Sequence, residues 1–253
     1  MPQGTRTRAR TPVGQELDLP PPFTAVRLRE VGDAFAHAQS IAAEQGAGTL
    51  VYVGRFDLAE FAVVLEPDEP LAQARRAFYA GMVALAEALA AHAQPETSVA
   101  ISWPDSISIN QGLVGGGQLG WPKGTAETET PAWLVFGAMI RTVSMTGIEP
   151  GLNPLSTALE EEGFTDVMSN HLVESFARHL MVAIDSWHES GFGAVAKNYL
   201  ARLPLEKGLR RDIDDNGDLN VRRMGKVEVE RKKLLPQLAK PAWLDPVSKG
   251  PRA

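Results

Sequence analysis

Two apolar runs, Thr49–Val53 and Leu58–Leu65, are separated only by Gly54, Arg55, Phe56 and Asp57. The first is rich in β-branched residues, and so short a connection reads as a tight hairpin. A sheet containing this antiparallel pair is therefore the frame that the rest of the chain must cover. Before it, Phe35, Ala38, Ile41 and Ala42 recur at helical spacing, and Gln45-Gly46-Ala47-Gly48 ends the stripe. After it, Pro67 to Pro70 closes the hairpin. Leu71, Phe78, Met82, Leu85 and Leu89 then predict one Ala-rich core helix ending near His92.

Further along, residues 99–103 and 107–109 read as short strands on either side of Pro104-Asp105-Ser106, and Leu113 to Leu119 follows them. A polar loop covers 122–131. Residues 133–143 form a nearly continuous apolar strand interrupted by Gly137 and Arg141. Beyond a loop at 147–154, Val173, Phe176, Leu180, Ile184 and Trp187 share one face of a helix over about 167–190, and a shorter helix spans 192–200. The final fifty or so residues change character. Leu219, Val221, Val227 and Val229 alternate around a turn at Asp215-Asn216-Gly217, which predicts a small β unit. The segment Pro241-Ala242-Trp243-Leu244 is expected to pack back on the main body. Residues 1–22, ending in three prolines, read as an extended lead-in.

A chain of 253 residues suits one substantial core with a small appendage. The net charge of −6 argues against nucleic acid as a partner, and the basic residues gather only at Arg6, Arg8 and Arg10 and, mixed with glutamates, from Arg222 to Lys233, where a solvated tail and a solvated strand face are expected. The absence of cysteine excludes disulfides, a thiol nucleophile and Cys-ligated metal. No stretch reaches the roughly 20 apolar residues that a membrane-spanning helix needs. Arg6, Arg8 and Arg10 precede no apolar segment, so a cytoplasmic location without membrane association is expected.

Motifs that carry chemistry by themselves are scarce. Asp212, Asp214, Asn216 and Gly217 imitate the start of a calcium loop, but its twelfth position is Arg223 and its flanks read as strands, so a solvated turn is expected. No His stands at metal-ligand spacing, and no serine-nucleophile elbow is present. Gly115-Gly116-Gly117 lacks the surroundings of a phosphate loop. Its place beside Trp103 and Asp105 still suggests a surface where a ligand could approach backbone closely.

Four blocks, in order, resemble the biotin and lipoate protein ligases. Residues 101–107, Ile-Ser-Trp-Pro-Asp-Ser-Ile, are similar to that family's K-W-P-N-D-[IL] strand, and Leu113-Val114-Gly115-Gly116 to its K-[LV]-[AG]-G-I-L strand. Residues 133–140 stand where the family has V-V-I-G-I-G-I-N-V, and residues 156–163 resemble A-T-S-L-x-E-x-G. The resemblance implies an α+β fold. Its sheet would be mixed and mainly antiparallel, flanked by helices as in class II aminoacyl-tRNA synthetases and biotin synthetase. It covers 23–203 and leaves 204–253 as a small C-terminal unit similar to the SH3-like domain of such ligases.

What the resemblance implies about activity is undercut by particular residues. Such ligases join the carboxylate of biotin or lipoate to ATP and then acylate a carrier-domain lysine, and cations must offset the repulsion of the two anions. Here the first strand's lysine corresponds to Ser102, its Asn to Asp105 and its Asp to Ser106. The second lysine corresponds to Gly112. An arginine-rich nucleotide loop has no room after Val53, and Arg55 alone echoes it. Arg141 replaces an Asn and offers a new anion anchor, with Lys123 in the loop above, unless it is simply a solvated strand end. Trp103 is either a wall of the ligand pocket or part of the core.

Three readings remain open. The first is a repurposed, non-adenylating relative that binds a small acyl compound or a biotinyl or lipoyl carrier domain at Arg55, Trp103, Asp105, Gly115, Gly116, Gly117 and Arg141. The second is an active ligase or acyltransferase with rearranged machinery, and only then are ATP and biotin or lipoate implied. The third is a structural accessory protein holding a partner through its C-terminal unit.

Overall fold

The computed structural model describes residues 16–145, 155–164 and 167–252. Residues 1–15 of the expected lead-in, with its arginines, and the expected loop at 147–154 lie outside them. Ten strands and six helices follow one another among the described residues: β1 (Thr24–Leu28), α1 (Ala34–Gln45), β2 (Thr49–Val53), β3 (Leu58–Leu65), α2 (Leu71–Ala74), α3 (Ala77–His92), β4 (Val99–Ser102), β5 (Ser106–Ile109), β6 (Gly112–Gly120), β7 (Leu134–Arg141), α4 (Ser169–Ser190), α5 (Phe192–Ala201), β8 (Leu209–Ile213), β9 (Leu219–Arg223), β10 (Val229–Lys232) and α6 (Leu234–Leu238). Seven strands form one sheet in the order β1-β2-β3-β7-β6-β5-β4, and β10-β9-β8 form a second. All neighbours are antiparallel except β1 and β2. The mixed, mainly antiparallel sheet expected from the sequence is thus the observed one.

The β2–β3 hairpin forms as read, with Leu50 opposite Val63 and Tyr52 opposite Phe61. Several elements differ from expectation: in the C-terminal unit Val227 stands outside β10 and residues 234–238 are helical. β1 was not foreseen because it is a partly exposed edge strand directly after the proline run, so it lacks a buried stripe. The single helix expected over 71–92 is broken at Arg75 and Arg76. Both side chains bind outside their own helix: Arg75 Nε donates to the Asn216 carbonyl at 2.9 Å, and Arg76 pairs with Glu69 at 2.8 Å and lies over Phe192.

Strand alternation sorts the sheet into two faces. Ala59, Phe61 and Val63 of β3, with Leu134, Phe136, Ala138 and Ile140 of β7, meet α3, α4 and α5 in the main core. Ala62, Val64 and Val135 face α1. Farther along that second face lie Leu58 and Met139, covered by Trp243 instead of a helix. The α1 N-terminus is fixed twice: Asp33 Oδ1 accepts from Ala36 N at 2.8 Å, and buried Glu60 accepts from Ala34 N at 2.9 Å. That contact explains a carboxylate inside an otherwise apolar strand.

The small sheet rests on α3 rather than standing apart. Tyr79 Oη donates to the Gly217 carbonyl at 2.6 Å, and Leu234 and Leu238 of α6 join the main core. The calcium-loop imitation is a turn, as expected: Asp214 Oδ1 accepts from the amides of Asn216 and Asp218, both at 3.0 Å. No metal-binding cluster of His, Cys, Asp or Glu occurs among the described residues, and none of their helices is long and apolar enough to cross a membrane.

Candidate functional site

The second face of the sheet, beyond α1, gathers part of the residue set expected from the sequence. On β7 the period-two alternation sends Met139 and Arg141 to this side, and on β3 it sends Leu58 and Glu60. On β6 the glycines are needed because other groups come too close for a side chain. A Cβ on Gly116 would overlap the Asp105 carbonyl and the Trp243 indole. Gly115 has φ 153°, and a Cβ there would strike the Met139 carbonyl of the neighbouring strand. Gly117 faces the other way, toward Met82 and Phe136, and contributes its carbonyl.

That carbonyl has a partner which sequence reasoning did not place. Residues 241–252 fold across the face as a strap. Trp243, 0% exposed, lies over Gly116 and donates Nε1 to the Gly117 carbonyl at 2.9 Å. The preceding amide, Ala242 N, donates to Asp105 Oδ2 at 2.8 Å, and Ser106 Oγ donates to Asp105 Oδ1 at 2.9 Å. Burial pushes the Asp105 carboxyl above its ordinary range, against the pull of these donors. At the other end, Arg141 donates to the carbonyls of Pro251 at 2.8 Å, Arg252 at 3.0 Å and Thr157 at 3.3 Å. Burial lowers its pKa from the usual arginine value, and Glu161 opposes this. Among the described residues no carboxylate lies within salt-bridge distance of Arg141.

Asp105, Gly116, Gly117 and Arg141 therefore meet through one strap, with Gly115 shaping the strand beneath. Trp103 does not join them. It packs, partly buried, against the main core and donates Nε1 to Tyr79 Oη at 3.2 Å. Arg55 is engaged in its own turn, bidentate to Asp57 at 2.8 and 2.6 Å, which leaves it little charge for an anion. Arg141 is not a solvated strand end, and Lys123 stays exposed. Gly112, where the family pattern has lysine, packs so closely on Thr157 that a Cβ would lie 2.6 Å from its methyl group. A cavity of about 500 Å³ opens elsewhere, along β4 beside Glu87 and Arg202, and none of the expected site residues lines it.

The segment Pro241-Ala242-Trp243-Leu244 was expected to pack on the body, but nothing in its composition says where. Glu60 was more legible, since one acid in a buried strand needs a donor.

Comparison with known proteins agrees with this architecture. A search of curated protein sequences finds no match. A biotin protein ligase-like protein of unknown function from a Silicibacter species is 26% identical, with a TM-score of 0.74 over 87% of this chain and 98% of that one. The apo biotin protein ligase of Aquifex aeolicus superposes with a TM-score of 0.62 at 13% identity, over 83% of this chain and 99% of that one. The Leishmania major biotin protein ligase in complex with biotinyl-5-AMP gives 0.54 at 17% identity, over 83% and 98%. These two ligases share the fold, and at such identity the likeness extends no further. The model of the biotin/lipoate A/B protein ligase family matches residues 19–201, so the chain belongs to that family.

Proposed function

We propose that this protein is a divergent biotin/lipoate ligase-like protein that does not carry out ordinary ATP-dependent ligation and instead binds a small acyl ligand or a biotinyl or lipoyl carrier domain. Adenylation brings a carboxylate against a triphosphate, and without cations a like-charged pair a few ångströms apart costs on the order of several kcal/mol. The observation that carries the reading is the charge on the face around Gly116. A buried acid, Asp105, stands there with one guanidinium, Arg141, while Gly112 is closed against Thr157 and Arg55 is neutralised by Asp57. One cation and one anion suit a single carboxylate or amide, not a nucleotide.

Isothermal titration with ATP, biotin, lipoate and octanoate, joined to a pyrophosphate-release assay, tests this. Binding of an acid or capture of a carrier domain without pyrophosphate release is expected. Tight ATP binding followed by pyrophosphate release on adding an acid would refute it and restore the ligase reading.

A further inference from the structure

The strap touches the face with the kinds of groups a ligand would bring. Trp243 supplies a flat apolar ring against Leu58 and Met139 and a ring N–H for the Gly117 carbonyl. Ala242 supplies an amide N–H for Asp105, and residues 251 and 252 supply oxygens for Arg141. Between these points the strap is held together by bonds within itself. Asp245 N donates to the Gly250 carbonyl at 2.9 Å, and Arg252 N to the Trp243 carbonyl at 2.8 Å. Arg252 Nε reaches the Ala242 carbonyl at 2.7 Å, and Asp245 Oδ1 accepts from the amides of Val247 and Ser248. Such a unit can leave as one piece, because its own turn survives release.

Arg141 supplies the reason for it to leave. Its half-buried guanidinium has only neutral carbonyls as hydrogen-bond partners among the described residues. A carboxylate in their place would make a charge-assisted and bidentate pair, roughly twice as strong as neutral bonds.

We propose that residues 241–252 are a displaceable strap that fills the ligand site of this face, and that a ligand enters by expelling Trp243 and taking over the grip of Arg141. The proposal rests on reading this face as a ligand site, and adds both its resident occupant and the chemistry of what replaces it. The incoming molecule is an apolar body of about indole size ending in a carboxylate. Binding requires the open form, so the apparent affinity is the intrinsic affinity scaled by the open fraction. Any change that loosens the strap without altering the face must tighten binding.

Arg252→Ala is such a change, since its side-chain hydrogen bond is to the strap's own Ala242 carbonyl. Trp243→Ala is a second, which also empties the site. Full-length wild type and both variants are titrated with octanoate, biotin and lipoate, and amide exchange at Ala242 and Arg252 is followed in parallel. The strap predicts at least tenfold tighter binding of one of these acids by both variants. It also predicts faster exchange at Ala242 in wild type when that acid is added, and loss of the gain when Arg141→Ala is combined with Arg252→Ala. Equal affinity in all three proteins would overturn the strap while leaving the ligand site standing. Exchange at Ala242 and Arg252 as slow as in the β3–β7 ladder would also overturn it, whatever binds. If no acid binds any variant, the strap falls together with the small-ligand form of the proposed function, and carrier-domain capture still decides the other form.

Discussion

Replacing Trp243 by Ala separates a strap from a core residue by the size of the stability loss. The indole is fully buried against Leu58 and Met139 and donates to the Gly117 carbonyl. In a rigid core, truncating a Trp costs about 3–5 kcal/mol, and the lost hydrogen bond adds about 1 kcal/mol. A total of about 4–6 kcal/mol is then expected. A strap that can undock obeys a ceiling. Once the variant's docking free energy reaches zero, the segment stays open and further loss of contacts changes nothing in the folded body. A tenfold to hundredfold binding gain on loosening corresponds to a docking free energy of about 1.4–2.8 kcal/mol. Trp243→Ala should therefore lower global stability by about that amount, below the whole range expected of a core residue. Urea unfolding of full-length protein followed by far-ultraviolet circular dichroism measures it. The double variant with Arg252→Ala should lose no more than the single one, since both draw on the same docking free energy. A loss of about 4 kcal/mol or more, or additive losses in the double variant, would refute the reasoning and make Trp243 part of the core.

Other residues give independent tests. Burial raises the Asp105 carboxyl above its ordinary range, so the native state keeps that proton to higher pH than the unfolded chain does. Stability contributed at this site therefore falls as pH rises from the ordinary carboxylate range through the raised native value. Asp105→Asn keeps an oxygen for the Ala242 amide and cannot ionise, so it should match wild type in acid and exceed it at neutral pH; urea midpoints across the range check the sign, and a wild type that gains on the variant with rising pH would contradict it. Tyr79→Phe removes the hydroxyl that donates to Gly217 and accepts from Trp103, and should cost about 1–3 kcal/mol with faster amide exchange in the β8–β9 turn. Gly81→Ala would drive a methyl group into the Phe136 ring between α3 and β7, so a loss of about 1–3 kcal/mol or more in urea unfolding is expected, and a neutral result would mean that α3 can move away.

Much of the fold was legible because each signal was local. Leu58–Leu65 and residues 133–143 had enough apolar residues to be strands buried on both faces, and the helical stripe of Val173, Phe176 and Leu180 is the buried face of α4. What escaped depended on partners distant in sequence. The break at Arg75 and Arg76 exists because the small sheet and Glu69 capture those side chains, and the periodicity runs unbroken through it. The same holds at the site. Asp105 and Arg141 were singled out as departures from a family pattern, yet their partners in the strap lie more than a hundred residues away, in a segment that shows no regular pattern.

The departures also form a set. Where the family pattern has an Asn, Asp105 receives the Ala242 amide of the strap. Where it has another Asn, Arg141 holds the carbonyls of Pro251 and Arg252, and also that of Thr157. Where it has a lysine, Gly112 leaves space for the Thr157 side chain. An acid facing an amide N–H and a guanidinium facing carbonyls are each complementary to backbone, and the acid would be poorly suited beside a nucleotide phosphate. Simple decay of an active site would leave unpaired polar groups behind. Here no buried side-chain nitrogen or oxygen among the described residues lacks a partner. Two of the departures from the family pattern, Asp105 and Arg141, are thus residues that hold 241–252 in place. A protein built in this way should respond to Arg141→Asn by loosening residues 242–252, not by recovering pyrophosphate release.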